Sequence, residues 1–165
     1  MFVVKWILIS LVVFALSAVG AGQLGFLGGS DPTDLGVKDG RLKPPALTPN
    51  SVSSQALLFP GHAQMAFAQI APLAISGDGP ATIAQIKAIA QAHGGVTIVK
   101  SMPDYLYLQY TSRWMKYVDD VEFWFDPANK VVQVRSASRV GKGDMGVNRA
   151  RIEFLRVALN GKSGS

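Results

Sequence analysis

The chain has 165 residues, with 16 Lys and Arg against 11 Asp and Glu, a net charge of +5 and a sequence pI near 9.6. It has no cysteine, which excludes disulfides, thiol catalysis, iron–sulfur clusters and cysteine lipidation. The positive charge is scattered and dense only in the final third, at Arg135, Arg139, Arg149, Arg151 and Arg156; this reads as a solvated surface, and nucleic acid is not expected as a partner.

Residues 1–29 open with Lys5 and then run from Trp6 to Gly22 without a charge or strong polar group. Secretory signals carry an apolar region of about 7–15 residues and a bilayer span needs about 20; this run lies between the two. Ala18-Val19-Gly20 and Gly20-Ala21-Gly22 offer small-residue cleavage sites, but run length favours an uncleaved membrane anchor over residues 6–29. The helix lacks the polar stripe that a buried helix of a soluble protein would show. Lys5 precedes the run, and Asp31 and Asp34 follow it. The positive-inside bias therefore leaves the amino end in the cytoplasm and the domain on the extracytoplasmic, periplasmic side; secretion after cleavage is the alternative.

Residues 30–56 are rich in proline and glycine. Asp39-Gly40 is a turn signal, and Pro44-Pro45 and Pro49 favour extended backbone. Leu35, Val37, Leu42 and Val52 give the segment apolar handles, so an irregular arm docked on the domain is expected in place of a free linker. Residues 57–165 form the globular unit, a length that fits one domain. Its lone His62 lies beside Pro60-Gly61 and lacks the clustered spacing of a metal site. The stretch Phe67–Pro72 reads as a short strand. Gly77-Asp78-Gly79 breaks the chain, Pro80 suits a first helical turn, and Ile83, Ile86, Ile89 and Ala90 mark a helix over 80–93 that ends at Gly94-Gly95. Val96–Lys100 and Tyr105–Thr111 read as an antiparallel hairpin around Met102-Pro103-Asp104.

The most informative stretch is Tyr117–Arg151. In Val118–Phe125, Val121, Phe123 and Phe125 alternate with Asp120, Glu122 and Trp124; in Val131–Ser138, Val132, Val134 and Ser136 alternate with Gln133, Arg135 and Ala137. Period-two alternation assigns each set to one face of a sheet, and a one-residue slip would turn a whole apolar set outward. With the turn at Asp126–Lys130, Glu122 falls opposite Arg135 and Asp120 opposite Ala137. Strand neighbours point to opposite faces, which makes Asp119-Asp120 a poor catalytic dyad. Gly141 and Gly143 then lead to Asp144, a good helix N-cap, and to a helix over 144–160. A glycine corner at a helix start can bind an anion through backbone amides. GxSxG is absent, no catalytic residue is assigned, and neither a cofactor nor a metal is expected.

Two readings of the charges compete. In one, Asp119, Asp120, Glu122, Arg135, Arg139 and Arg149 form a structural network pinning the hairpin to the last helix. In the other, Arg135, Ser136, Ser138, Arg139, Asn148 and Arg149 line a ligand site.

The strings DLGVKDGRLKPPALTPNSVSSQA, DDVEFWFD and RSASRVGKGDMGVNRARIEFLR resemble the family DUF1499, over about residues 34–160. The resemblance implies a bacterial envelope or plastid protein; no activity is attached to the family, so no catalytic residue carries over. Many members have a cysteine pair flanking the Pro-Asn segment, at positions that are Pro45 and Ser51 here. A structural role of that pair would fall to proline stiffness in this chain.

The expected fold is α+β: an antiparallel sheet of four or more strands with two main helices on one face, after an apolar N-terminal helix. The element order also suits a helix-grip lipid-binding fold, an analogy that says little of function. The preferred functional expectation is a non-enzymatic, membrane-anchored envelope module binding an anionic ligand, a lipid or a protein partner through its arginine-rich face. A hydrolase using Asp119, Asp120 or Glu122 as base and a purely structural assembly module are the alternatives.

Overall fold

The computed structural model describes residues 2–162; Met1 of the apolar segment and residues 163–165 of the globular unit lie outside the described residues. Helix α1, Phe2–Gln23, is 22 residues long and apolar enough to cross a membrane, with a mean hydropathy of 2.5 and no buried share in its central window. Strand β1 (Ser51–Ser53), a 3-10 turn (Ala56–Leu58), α2 (Met65–Ala68) and β2 (Leu73–Ala74) follow. Helix α3 is Gly79–His93, then come β3 (Val96–Ser101), β4 (Tyr105–Thr111), β5 (Val118–Asp126), β6 (Val131–Ser138) and α4 (Val147–Lys162). The fold is α+β, with a six-stranded antiparallel sheet in the order β1-β6-β5-β4-β3 and β2 on the other end of β6.

Helices α3 and α4 cover one face of the sheet. Ile83, Ile86 and Ile89 of α3 and Ile152, Leu155 and Leu159 of α4 pack on Leu106, Leu108, Val121, Phe123, Val132 and Val134. These side chains are nearly all inaccessible, and each contributes about 1.5–3 kcal/mol by leaving water. The Asp78 carboxylate caps α3 by accepting from Ala81 N–H at 2.7 Å. Gly79 sits directly on the Phe125 ring, where a Cβ would clash; this close approach is why the helix starts on glycine and not on alanine.

The register of β5 and β6 is the one the alternation requires, with Glu122 opposite Arg135 and Asp120 opposite Ala137. The 96–111 hairpin also forms, with a bulge between Ile98 and Lys100. Two boundaries differ from expectation. Phe67–Pro72 is no strand: Met65–Ala68 close a single helical turn, Gln69 makes only an isolated parallel bridge to Ser53, and the paired strand begins at Leu73, past Pro72, which has no N–H to give a ladder. Helix α4 starts at Val147 because Met145 (φ 50°) and Gly146 (φ 82°) hold left-handed backbone.

The second sheet face is covered by residues 30–50. Leu42 is 2 % exposed and packs with Tyr105 and Tyr107, joined by Leu35, Val37 and Trp124. Val52 faces the helices from β1, a strand inside the segment expected to be irregular: three residues with two serines are too short to show a period. Gln55 staples the arm, accepting from Leu42 N–H at 2.8 Å and donating to Gly40 O at 3.0 Å.

Candidate functional site

Adjacent residues of β5 send charge to opposite faces. On the arm face, Asp120 accepts both nitrogens of a forked Arg139, Nε at 2.9 Å and Nη2 at 2.8 Å, and a proton from the Tyr107 hydroxyl. Arg139 Nη1 also reaches Asp31 at 2.7 Å. These bonds, that to Asp120 first, hold the Arg139 pKa above its ordinary value.

Glu122, one step along the same face, is wholly buried. Its Oε1 accepts from Tyr105 Oη at 2.7 Å and from Gly36 N–H at 2.7 Å. Its Oε2 has no hydrogen-bond partner among the described residues, and Arg135 Nη1 stands off at 3.8 Å. Arg135 instead donates from Nε to Pro44 O at 3.2 Å. Burial raises the Glu122 pKa, against the pull of Arg135, Tyr105 and Gly36; burial likewise lowers that of Arg135. Both members are driven toward neutrality, as desolvation does when the ion pair is loose. Burial, with the Glu122 charge beside it, also raises the Tyr105 pKa.

On the helix face, Asp119 pairs with Arg151. Arg151 Nη1 donates to Ser136 Oγ at 3.0 Å and Asn148 Oδ1 at 2.8 Å, and its guanidinium lies 4.5 Å from the Tyr110 ring centroid. Asn148 donates to Asn50 O, Ser138 Oγ and Asp144 Oδ2 at 2.8–3.0 Å. Asp144 accepts Gly146 and Asn148 N–H at 3.0 Å. Those bonds hold its pKa below the ordinary value although burial opposes them. The glycine corner thus has its anion seat filled by a carboxylate of the chain itself.

Of the residues expected in the network, Asp119, Asp120, Glu122, Arg135 and Arg139 take part, divided between the two faces. Arg149 does not: it donates to Gln69 O at 3.0 Å and Phe67 O at 2.6 Å. The arginine that meets Asp119 is Arg151. Two residues along a helix turn about 200°, so 149 and 151 project to opposite sides, a distinction that helical spacing carried in the sequence. Ser136, Ser138 and Asn148 are brought together but are bonded to one another and to Arg151. Tyr105, Tyr107, Gly36 and Pro44 were missed; the tyrosines alternate visibly in β4, while the two backbone contacts leave no signal in residue type.

Gly36 and Pro44, which contact Glu122 and Arg135, also line an open cleft of about 330 Å³, together with Asp34, Lys38, Asp39, Arg41, Leu42, Lys43 and Phe59. Its rim is a tight hairpin in which Lys38 N–H reaches Arg41 O at 2.9 Å and Arg41 N–H reaches Lys38 O at 3.0 Å. Asp39 (φ 51°) and Gly40 (φ 69°) supply the positive φ that such a turn needs at both central positions. Directly opposed residues share a face, so the two cations stand side by side. Lys43 pairs with Asp34 at 2.7 Å, a bond that lowers the Asp34 pKa; Lys38 and Arg41 form no ion pair among the described residues.

The family described as "Protein of unknown function (DUF1499)" matches residues 41–159. The chain belongs to the DUF1499 family. The DUF1499 match takes in both charged layers apart from Asp31 and Gly36, and starts on the second strand of the Lys38–Arg41 hairpin. At the two positions where the resemblance implied a cysteine pair, Pro45 is buried and Ser51 Oγ accepts from Ala46 N–H at 2.8 Å, so a hydrogen bond closes the same loop. No curated protein and no solved structure matches the chain.

Proposed function

We propose that this chain is a membrane-anchored, non-enzymatic module of the cell envelope, with its domain outside the cytoplasm, that takes an anionic ligand between Lys38 and Arg41. The observation that carries the reading is the division of its cations. Arg135, Arg139, Arg149 and Arg151 are engaged by carboxylates or carbonyls of the chain, so the arginine face has little left for a ligand. Lys38 and Arg41 are exposed, opposed across a hairpin and unpaired, at the mouth of a cleft. Like charges directly opposite repel; a bound anion removes that repulsion. Asp119 and Asp120 are tied to arginines in the same way and Glu122 is wholly buried, so none of these three carboxylates lies open to a substrate.

Retention of α1 is supported by its length: 22 residues at a mean hydropathy of 2.5, against the about 20 that a bilayer span needs and the about 7–15 of a secretory signal. The positive flank at Lys5 supports a cytoplasmic amino end.

The test is native mass spectrometry of the full chain extracted from membranes, beside Lys38→Ala/Arg41→Ala. The expected result is an anionic adduct on the wild type that the double variant loses. A bare wild type, or an adduct that survives the double substitution, would overturn the reading.

A further inference from the structure

The loop between β4 and β5 is fastened to the end of α1. Gln23 Nε2 donates to Trp114 O at 2.8 Å and Arg113 O at 3.3 Å, and Gly22 rests on the Met115 backbone. The helix end and the loop therefore occupy one level. Helix α1 has 22 residues, about 33 Å at about 1.5 Å per residue, against a hydrocarbon thickness of about 30 Å. When α1 spans a bilayer, Gln23 reaches the boundary of the apolar layer and the loop comes with it.

What the loop presents at that level is unusual for a soluble surface. Trp114 is 64 % and Tyr117 41 % exposed; Leu24 and Phe26, just past α1, are 75 % and 76 % exposed. Arg113 lies 5.2 Å from the Trp114 ring centroid, and neither it nor Lys116 forms an ion pair among the described residues. From Ser112 to Tyr117 there is no carboxylate. Exposed tryptophan and tyrosine at the end of an apolar helix are the composition of an interfacial belt, and adjoining lysine and arginine are what an anionic headgroup layer attracts. An aqueous surface gives no reason for an unburied tryptophan, leucine and phenylalanine to be gathered beside a helix end.

We infer that the loop Arg113–Tyr117, with Leu24 and Phe26, is a membrane-interface seat: it inserts its aromatic side chains at the headgroup level of the bilayer that α1 crosses, and Arg113 and Lys116 contact anionic lipid. This rests on the anchor reading above and adds to it a fixed orientation of the domain on the membrane. Hydrogen bonds from α1 alone would leave the domain free to lean; two attachment points, the helix and the seat, prevent it.

The experiment uses the full chain in vesicles of phosphatidylcholine, with and without phosphatidylglycerol. Trp114 is exposed, so Trp114→Phe leaves the fold intact, and the difference between the wild-type and variant emission isolates this one side chain from Trp6 and Trp124. Bromine near the glycerol end of the acyl chain should quench that difference signal about two-fold more than bromine near the terminal methyl, as expected of a belt residue. Adding phosphatidylglycerol should increase the shallow quenching, and Arg113→Gln/Lys116→Gln should abolish that increase. If the chain floats with the vesicles but neither brominated lipid touches the Trp114 signal, the seat is wrong and the anchor stands. A chain that does not float with vesicles overturns the anchor reading and the seat with it. A phosphatidylglycerol effect that survives in the charge variant overturns the role of Arg113 and Lys116.

Discussion

The two faces of the β5–β6 hairpin bury charge in different ways. On the helix face, Asp119, Ser136, Asn148 and Arg151 close on one another with side-chain bonds, while the buried Asn50 Oδ1 beside them has no hydrogen-bond partner among the described residues. On the arm face, Glu122 and Arg135 stay 3.8 Å apart and lean on a tyrosine and on backbone groups of the arm. The covering element explains the difference. A helix offers side chains at fixed spacing that can be matched to a strand. An extended arm offers mainly its own N–H and C=O groups, which can satisfy a carboxylate edge or a guanidinium nitrogen but cannot neutralise either. The helix face is thus a tie made by hydrogen bonds, and the arm face holds a desolvated pair with little net contribution to stability.

Removing one member of the desolvated pair should have the largest effect. Arg135→Met leaves Glu122 buried without a counter-charge and is expected to cost about 3–5 kcal/mol near neutral pH, whereas Arg135→Met with Glu122→Leu should recover most of that loss. Urea denaturation of the single and double variants measures both. Equal losses in the two would mean that the pair contributes through packing alone and would remove the contrast between the faces.

On the helix face, Asn148→Ala should cost about 2–3 kcal/mol: the Ser136 hydroxyl loses its acceptor, Ser138 Oγ loses its donor and Asn50 O keeps only Ser138 N–H. No single second substitution among its neighbours should restore it, since three separate groups each lose a bond. A rescue of Asn148→Ala by Ser136→Ala would show this layer to be as dispensable as the other.

The smallest effect is a slope with pH. Glu122 holds its proton more tightly in the folded chain than in the unfolded one, so its contribution to stability falls as pH rises from the ordinary value of 4.5 toward the raised folded value. Glu122→Gln keeps an acceptor for Tyr105 and Gly36 and removes the titration. Thermal melts over that range should show the wild type losing ground to the variant as pH rises. Parallel curves would mean that the carboxyl is not shifted.

Much of this architecture was legible. The alternation in β5 and β6 fixed which residues share a face, and the turn after Asp126 fixed the pairing of Glu122 with Arg135. The isoleucine spacing gave α3 directly. What could not be read was which element covers each face. Gly36 N–H and Pro44 O carry the contacts to Glu122 and Arg135, and a backbone group is the same whatever the residue. The confusion of Arg149 with Arg151 has another origin: both lie in α4, but the sequence pattern showed the apolar stripe Ile152, Leu155 and Leu159 without showing which flank of the stripe meets Asp119. The unpaired cations at Lys38 and Arg41 lay beside a recognised Asp-Gly turn, yet their opposition depends on the two positive φ angles that close it.

The proposal that Lys38 and Arg41 take the ligand carries a claim about Arg139, that it serves to hold the domain together. The most direct measurement is the urea midpoint of Arg139→Ala in the full chain. The Arg139 side chain is 8 % exposed and spans Asp120 and Asp31, so its removal strands the buried Asp120 carboxylate, and the midpoint should fall by an amount matching about 3 kcal/mol or more. A variant that keeps the wild-type midpoint would contradict the claim and return the arginine face to the role of a ligand site.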